Sequence, residues 1–388
     1  MPAERTTDSI TVPPLFTPTP LVERDALGIW HVRGYAEAKQ LMLADAAQAG
    51  FQAEDVRKAR IDPVLYQQGE PHRVQRGQIA RFFSPTTTHQ KHMPVMEQFA
   101  DSIIGEFAKA GRGDLNQMAM RMAVAVASAI VGLNATPGMV KRLNAMLHTP
   151  TRTGHPLQDR WAELWGRGQM LTFLLFDVRP AIRARRREPQ DDVISYMVSK
   201  GKGEMAILAE CVVYGAAGMV TTQEFISVVF WHCMLHPELR ELMLTADQET
   251  RYEFLNEALR LEPVIARLSR RALSDITVTS DGQTVTIPAG DRIDFHLYEI
   301  NADARTVADA PRALHPHRDL GAGVPRAVMG FGSGMHKCAG EFVAIAETDV
   351  FLRRLLALDG LRIEQEPTLN RNELIEGYEL RNFIIAAG

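Results

Sequence analysis

Apolar residues recur every three to four positions over most of this 388-residue chain. This spacing is typical of helices that bury one face, so the chain is predicted to be mainly helical. The predicted helices cover 34–43, 72–83, 93–110, 115–131, 159–187, 191–200, 205–235, 238–244, 249–261 and 341–356.

Strand patterns are confined to short regions. Residues 275–279 and 283–287 alternate apolar and polar side chains on either side of a Ser-Asp-Gly turn, which predicts a β-hairpin. Residues 21–32 contain shorter alternating segments that indicate a small sheet, and the Pro- and Thr-rich residues 1–20 predict an extended lead-in. Because the chain has no internal repeat and no Gly/Ser-rich linker, we expect one domain over residues 1–388, mainly α with a small β region.

The composition is that of a soluble globular protein, with 46% hydrophobic residues, 23% charged residues and a formal net charge of −4. This balance argues against a nucleic-acid partner or a membrane surface. The first residues lack an apolar core, and no charge-free apolar run reaches the ~18 residues of a membrane span, so we expect no signal peptide or anchor. Cys211, Cys233 and Cys338 are an odd, sparse set that fits a reducing cytoplasm better than a disulfide framework.

One cysteine lies in a glycine-rich loop, FGSGMHKCAG over residues 331–340, directly before a helical pattern. A thiolate is the form that binds metals, and its formation needs positive potential and hydrogen-bond donors. Gly332 and Gly334 allow a tight bend, and the following helix directs its positive end towards Cys338. His336 and Lys337 add positive charge. The loop therefore predicts a thiolate held against a metal; the ordinary alternative is a structural cysteine in a glycine turn.

The spacing Phe331-x-x-Gly334-x-x-x-Cys338-x-Gly340 resembles the haem-binding signature of the cytochrome P450 superfamily. The resemblance implies the cytochrome P450 fold, in the form of the soluble bacterial members, with haem b as cofactor. It makes Cys338 the axial iron ligand, Phe331 a residue packed beside the sulfur, and Gly332 and Gly340 parts of the haem-binding loop. A cysteine thiolate pushes electron density onto iron and favours O–O cleavage, so the implied activity is that of a monooxygenase.

A second match lies about 80 residues before the cysteine, at Glu257-Ala258-Leu259-Arg260. The carboxylate and the guanidinium are three residues apart on one helix face, and alone such a pair is usually a surface pair. Here it resembles the Glu-x-x-Arg pair of the family, which implies a buried ion pair completed by Arg318. We expect Glu257, Arg260 and Arg318 to assemble the haem pocket, with a structural role and no chemical one.

Haem carries two propionates, which need cationic or donor side chains. His72 and Arg76 are four residues apart on one helix face and match the His-x-x-x-Arg of the family. Arg267 and His336 match two further propionate contacts of the family. Charge-assisted hydrogen bonds suit this task. The alternative for each residue is a place on a solvated basic surface.

Basic residues also predict the contact with an electron donor. A positive surface on the thiolate side would steer an acidic ferredoxin or flavodoxin, which carries electrons from NAD(P)H, towards the protein. The alternative is an ordinary solvated set of charges. The residues concerned are Arg57, Lys58, Arg60, Arg73, Arg76, Arg81, Lys91 and Lys337.

The helix predicted over 205–235 contains Ala-Gly-Met-Val-Thr-Thr at residues 217–222, which resembles the family segment that crosses above the iron. The resemblance makes Gly218 the position that leaves room for dioxygen, and Thr221 the hydroxyl that bends the helix and donates a hydrogen bond. The acid expected before the threonine is Val220. Glu224, one turn later, is the predicted substitute in proton relay, with a structural pairing as its alternative.

The same resemblance predicts that Met219, Val220, Ile265 and Tyr378 contact the substrate. The leading hypothesis is a haem-thiolate monooxygenase that hydroxylates a small organic molecule. Because Val220 cannot relay a proton, three alternatives stay open. Protons reach the site through Thr221 and water or from the substrate; the enzyme carries out oxidative coupling or nitration; or it hydroxylates slowly and releases peroxide. A haem-thiolate gas sensor without turnover is the alternative outside enzymology, although Thr221 argues against it.

Overall fold

A computed structural model describes residues 8–11, 20–51, 53, 62–147, 155–372 and 375–388 of the chain. Most of the predicted lead-in at 1–20 lies outside the described residues. So do Arg57, Lys58 and Arg60 of the predicted basic surface.

Helices make up most of the described structure, in keeping with the apolar spacing. They are α1 Tyr35–Met42, α2 Gly69–Ile79, α3 Met93–Ala110, α4 Leu115–Val131, α5 Pro137–Leu147, α6 Pro156–Phe173, α7 Arg179–Arg187, α8 Val193–Ser199, α9 Glu204–Gly215, α10 Thr221–Leu235, α11 Pro237–Thr245, α12 Gln248–Leu261, α13 Leu297–Ile300 and α14 Glu341–Leu356.

The main hydrophobic core lies where α3, α4, α10 and α14 pack together. α4 is almost entirely buried, because its residues are apolar around the whole circumference. Asp114 caps its first turn by accepting hydrogen bonds from two backbone amides, and Gly132 ends it with a φ of 98° that favours glycine. This core packs against the continuous helix formed by α9 and α10, called the distal helix, which borders the cavity described below.

The strands form four small sheets. β1 Val22–Arg24, β2 Trp30–Val32, β3 Ala46–Gln48, β5 Arg267–Ala272 and β8 Arg292–His296 make a five-stranded sheet in the order β1-β2-β8-β5-β3. β6 Ile276–Ser280 and β7 Gln283–Ile287 form a hairpin, as do β10 Thr368–Asn372 and β11 Gly377–Arg381. β12 Ile384–Ala386 pairs with β4 Arg112–Asp114 and β9 Arg362–Gln365. Only β2 and β8 pair in parallel among these described strands.

The fold class predicted from the sequence is confirmed: the protein is mainly α with a small β region. The bounds of α3, α4 and α14 are those predicted, and the hairpin β6–β7 is present. The two longest predicted helices are each interrupted by a π-helical segment, at Leu174–Val178 and Ala216–Val220. Helix α5 and the C-terminal strands β9–β12 were not predicted, because their segments are short and mix polar with apolar residues.

The continuous helical stretch Glu204–Leu235 is, by length and composition, apolar enough to cross a membrane. Its second half, α10, packs against α4 and α14 in the interior, so burial within the protein accounts for its apolar residues. A helix buried in a large core is expected to be hydrophobic all round.

Candidate active site

A cavity of about 830 Å³ lies between the distal helix and the glycine-rich loop. Small residues of the distal helix form one part of its wall, among them Ala217 and Gly218. Cys338 and its neighbours in the loop form another part, and α2 contributes His72 and Arg76. The cavity therefore brings the predicted thiolate, the predicted propionate contacts and the predicted distal residues to one space.

The cysteine loop is a tight, backbone-bonded turn. The Cys338 amide donates to the Phe331 carbonyl at 2.9 Å, and Gly332 and Gly334 have φ angles of 69° and 70°. A Cβ on Gly334 would lie 2.4 Å from the Met42 carbonyl oxygen, so a side chain is excluded there by contact as well as by φ. Helix α14 begins at Glu341, three residues beyond the cysteine.

The Cys338 side chain is exposed to the cavity, although surrounding protein separates it from bulk solvent. Burial raises the pKa of the Cys338 thiol, and this outweighs the opposing effects of the Gly340 amide and of Arg76. Local positive charge from Arg76 and Lys337 acts in the expected direction, but burial outweighs it, so the net shift of this pKa is upward. A bound metal ion deprotonates a coordinating thiol outright. The Cys338 sulfur is therefore suited to bind a metal ion, which supplies the positive charge itself.

The residues around the cavity fit a haem. Cys338 offers a soft sulfur donor, and His72 Nδ1 is buried without a hydrogen-bond partner. Within the described part of the chain, no three His, Cys, Asp or Glu side chains converge as a metal site. A single thiolate therefore suits a metal whose remaining ligands come from a prosthetic group.

His72, Arg76 and His336 lie together at the edge of the cavity. The two imidazole rings are 4.4 Å apart, Gln68 bonds His336 at 3.0 Å, and Arg76 donates to the Lys337 carbonyl at 2.5 Å. Burial lowers the pKa of His336 to about 3 and also lowers the pKa of His72. Both imidazoles are thus neutral at pH 7, and Arg76 is the cation of this group.

Arg267 is not placed as expected. Its guanidinium is 2.8 Å from Glu376 and 3.4 Å from Asp294, so carboxylates of the protein already neutralise it, and it does not line the cavity. Arg270, three residues later, lines the cavity and has no carboxylate partner among the described residues; its guanidinium bonds Gln48 and the Ser269 carbonyl. Burial lowers its pKa to about 10, so it stays charged at neutral pH.

Arg270 is therefore the better candidate for binding an anionic group, and the prediction of Arg267 is corrected to Arg270. Sequence reasoning missed it because both arginines lie on β5 and the partners that neutralise Arg267 are distant in the chain. A signal was available: alternate positions of a strand face opposite sides, so Arg267 and Arg270 cannot share one face.

The Glu257 carboxylate is the centre of a buried charge cluster. It accepts from Arg260 at 2.7 and 2.8 Å, from Arg318 at 2.9 Å and from the His315 amide at 3.1 Å. The Arg260 side chain is 0% exposed and donates further to three backbone carbonyls, those of Asn301, Pro311 and Ala313. The three residues predicted to act together are in contact, and they lie outside the cavity wall.

The distal helix is distorted where it passes the cavity. The five-residue π-helical segment Ala216–Val220 interrupts it, and the Thr221 hydroxyl donates to the Ala217 carbonyl at 2.5 Å. This bond competes with the regular helix ladder, as predicted for a threonine at this place. A Cβ on Gly218 would meet only Ala127, at 3.8 Å, so the wall is open there.

Met219 and Val220 are buried in the helix packing and do not line the cavity. The prediction that they contact substrate is corrected, because the π-helical segment directs the cavity face of the helix to Ala216, Ala217 and Gly218 instead. Ile265 does line the cavity, as predicted.

Glu224 is 0% exposed and lies away from the cavity. Its two oxygens accept from the Leu380 amide at 2.7 Å and from Arg381 at 2.6 Å. Burial raises the pKa of Glu224 to about 7. The relay role predicted for Glu224 is corrected to its stated alternative, a structural pairing, since both oxygens hold the C-terminal hairpin.

Tyr378 is also placed differently from the prediction. Its ring is buried, and its hydroxyl points to the Glu262 carbonyl at 3.5 Å, outside the cavity. Its neighbour Glu376 is occupied by Arg267. The acidic C-terminal loop thus supports the wall, and Ile375 is its cavity-lining residue.

Several wall residues were not singled out from the sequence. Phe83 and Tyr214 stack with ring centroids 5.7 Å apart and both line the cavity. Glu347 of α14 lines it as a fully buried acid whose Oε1 has no partner, and burial raises its pKa to about 8. Aromatic and helical residues of this kind have the sequence pattern of ordinary core positions, so periodicity alone does not distinguish them.

The described part of the predicted basic surface is largely paired. Arg73 contacts Glu70 at 2.6 Å, Lys91 contacts Asp191 at 3.1 Å and Lys337 contacts Glu341 at 2.7 Å. Such exposed pairs reduce the net positive field that an acidic partner would meet. A role in partner binding stays a prediction.

Comparison with known proteins agrees with the site. The sequence profile of the family described as Cytochrome P450 matches residues 252–370, which span Glu257, Arg260 and Cys338. The chain is similar to the biotin biosynthesis cytochrome P450 of Bacillus subtilis (strain 168), with 24% identity over 359 residues, 88% of this chain and 84% of the relative.

Solved structures share the fold. CalO2 superposes with a TM-score of 0.79 and 20% identity, over 95% of this chain and 93% of that chain. P450BioI in complex with an acyl carrier protein ligated to hexadec-9Z-enoic acid superposes with a TM-score of 0.77 and 20% identity, over 95% and 94%.

Proposed function

We propose that the chain, an oxidoreductase similar to the cytochrome P450s, is a haem-thiolate monooxygenase that oxidises a small organic molecule. The observation that carries the proposal is one cavity lined by both Cys338 and Thr221. A metal ligand and a distal hydroxyl thus serve one reaction space. In this proposal the 388 residues form a single catalytic domain.

Haem b would supply dioxygen activation, and a thiolate ligand to its iron would favour O–O cleavage. Cys338 is the proposed iron ligand, and Phe331, Gly332 and Gly340 shape the loop around its sulfur. Arg76 and Arg270 are the proposed cationic partners of the propionates, with His72 and His336 as neutral donors. This assignment rests on two observations: Arg270 is buried with no carboxylate partner among the described residues, and His72 Nδ1 is buried with no hydrogen-bond partner.

Thr221 is the proposed distal donor. Its hydroxyl oxygen can accept a hydrogen bond from water. Its own hydrogen can then turn from the Ala217 carbonyl towards the cavity. Gly218 leaves open space beside it. Hydroxylation is the proposed outcome; coupling or nitration is the alternative, as chemistry that needs no ordinary second protonation.

The cavity walls favour a largely apolar substrate. Residues such as Phe83, Val213 and Ile265 line it. Apart from the polar residues already assigned to the haem, its charged lining residues include the α6 pair Arg167 and Glu163, 2.6 Å apart. Such walls exclude water and orient a ligand by a few polar contacts. We therefore infer a small apolar molecule with a polar end directed towards α6.

Electrons are proposed to come from NAD(P)H through a separate ferredoxin or flavodoxin, in the cytoplasm. Support comes from the sparse cysteines and from the similarity to bacterial relatives. Arg81 is exposed and follows the end of α2, and substituting it tests whether such a donor binds on this side.

The test of the class is spectroscopic. Reduced, haem-loaded protein exposed to carbon monoxide should give the red-shifted Soret band of a thiolate-ligated haem. Cys338→Ser should abolish the band, while Cys211→Ala, a buried cysteine away from the cavity, should retain it. A band that survives Cys338→Ser, or its absence from haem-loaded wild type, would refute the assignment.

A second candidate concerns how the substrate arrives. α6 carries polar residues on its cavity face and apolar ones on its outer face, where Trp161, Leu164, Trp165 and Leu171 are 73%, 55%, 52% and 53% exposed. Large exposed apolar patches mark interaction sites. Because a structural relative is bound to an acyl carrier protein, we propose that a carrier protein delivers a tethered substrate at this face.

The haem spin-state shift tests this delivery. A fatty acyl chain on a carrier protein should shift the spectrum at lower concentration than the free acid. Trp161→Ser together with Trp165→Ser should remove that advantage, and Leu27→Ser, an exposed apolar residue in the β1–β2 turn, should keep it. Equal shifts by free and tethered chains in wild type would contradict carrier delivery.

A further inference from the structure

A second cavity, of about 700 Å³, lies beside the main one. Its wall comes from α2, α8 and α9, and polar side chains make up much of it. Tyr214 of α9 belongs to the walls of both cavities, so it forms part of the partition between them.

Three buried polar atoms without a protein partner line this second cavity. They are Gln67 Oε1, Glu210 Oε2 and the Tyr214 hydroxyl. Buried polar atoms are normally bonded, so unbonded ones beside a cavity of this size are suited to binding water. Each of the three atoms therefore has an unused hydrogen-bonding site next to the same cavity.

Glu210 is held by one oxygen and free at the other. Its Oε1 accepts from the Val64 amide at 2.8 Å and from Gln75 Nε2 at 2.6 Å. These bonds fix the carboxyl group, while Oε2 is left to exchange a proton with water. Glu210 can thus take up and release a proton without moving.

The protonation of Glu210 is balanced near neutrality. Burial raises its pKa to about 7 against the opposing bonds from Val64 and Gln75, so both forms are populated at pH 7. The charged groups that face it from the surrounding elements are Asp62, Glu70, Lys200 and Lys202.

Glu210, Tyr214 and Thr221 follow one another along the distal helix. Glu210 and Tyr214 are four residues apart, one turn of α9, and Tyr214 and Thr221 both line the main cavity, on either side of the π-helical segment Ala216–Val220. Ala217 and Gly218 lie between Tyr214 and Thr221 on the main cavity wall, and their small size leaves room for water along the helix.

We propose that Glu210 and Tyr214 carry protons from the second cavity to Thr221, in place of the carboxylate that is missing at Val220. The inference rests on the proposed oxygenase function. Water protonates Glu210 Oε2; the Tyr214 hydroxyl receives that proton through water and passes its own onward, so the protein gains no net charge and no electron is transferred.

Infrared spectroscopy tests the donor without turnover. In ferric, haem-loaded enzyme titrated through neutral pH, Glu210→Gln should remove one carboxylic-acid C=O band that titrates near neutrality. Tyr214→Phe should keep the band. Retention of every such band in Glu210→Gln would show that Glu210 holds no exchangeable proton and would overturn the proposal.

Electron accounting tests the route. With NADPH and a surrogate ferredoxin system, Glu210→Gln and Tyr214→Phe should each raise severalfold the share of electrons released as hydrogen peroxide. Tyr196→Phe, in which the lost hydroxyl bonds Gln78 at the outer wall, should match wild type. If Glu347→Gln gives the effect and Glu210→Gln does not, the proton comes from α14 and the proposal fails.

Different results contradict the proposed function and the proposed proton route. Haem-loaded wild type without the thiolate–carbon monoxide band contradicts the proposed function. Wild type that has the band, but whose Glu210→Gln and Tyr214→Phe variants release no more peroxide, contradicts the proton route alone.

Discussion

The buried cluster around Glu257 makes the sharpest prediction, through Glu257→Gln. The substitution keeps the size of the side chain and an oxygen acceptor but removes the charge between two guanidinium groups. Arg260 and Arg318 are 0% and 6% exposed, so neither can turn to solvent. Their remaining donors are already directed at backbone carbonyls. The variant thus leaves two buried cations facing a neutral amide.

The expected cost is large. Removing one partner of a buried ion pair destabilises by about 3–5 kcal/mol, because the other charge stays buried and uncompensated. Here one carboxylate serves two arginines, so the upper half of that range applies. The matched control is Glu253→Gln, four residues earlier on α12, whose exposed pair with Arg326 should contribute less than about 1 kcal/mol.

Urea unfolding of haem-loaded protein, followed by circular dichroism and by the Soret band, measures both variants. Glu257→Gln should lower the midpoint strongly and release haem before the helices unfold, because Arg260 and Arg318 hold the segment that precedes the cysteine loop. A difference between the two variants of less than about 1 kcal/mol would refute the reasoning, since exposed pairs reach that value on their own.

Three further predictions concern the cavity. Arg270→Leu should weaken haem retention by about 1.5–3 kcal/mol, the range of a charged hydrogen bond, and Arg267→Leu should not; equal haem transfer to apomyoglobin would contradict this. Burial raises the pKa of Glu347 from 4.5 to about 8, so charging this side chain destabilises the fold progressively above about pH 4.5. The free energies of unfolding of wild type and Glu347→Gln should therefore differ by roughly 3–5 kcal/mol at about pH 8 and coincide in acid. Gly334→Ala should abolish haem loading while far-ultraviolet dichroism persists, because its Cβ meets the Met42 carbonyl; normal loading would contradict that contact.

The helical framework followed from the sequence because its signals are local. The apolar period sets α3 and α4, and a capping Asp114 and a terminal Gly132 fix the two ends of α4. The spacing of residues 331–340 likewise predicted the cysteine loop, since glycines with positive φ and a helix start are mainly local features.

Residue orientations at the cavity did not follow, because they depend on distant contacts. The π-helical segment turns Met219 and Val220 into the packing, and no pattern of apolar residues distinguishes π from α spacing over five positions. The choice between Arg267 and Arg270 depends on Glu376, more than a hundred residues away in the chain. Glu224 was assigned from spacing along its own helix, whereas its partner Arg381 lies on β11.

The C-terminal hairpin is a remote site at which substrate selectivity can be changed. Gly377 lies so close to the Val264 carbonyl that a Cβ would be 1.8 Å from it, and the same strand β11 holds Glu224 of the distal helix. Any change at Gly377 would therefore shift the wall at Ile265 and the distal helix together. Mutational libraries aimed at the substrate range of this enzyme need to include this remote backbone contact, since lining residues alone do not set the shape of the cavity.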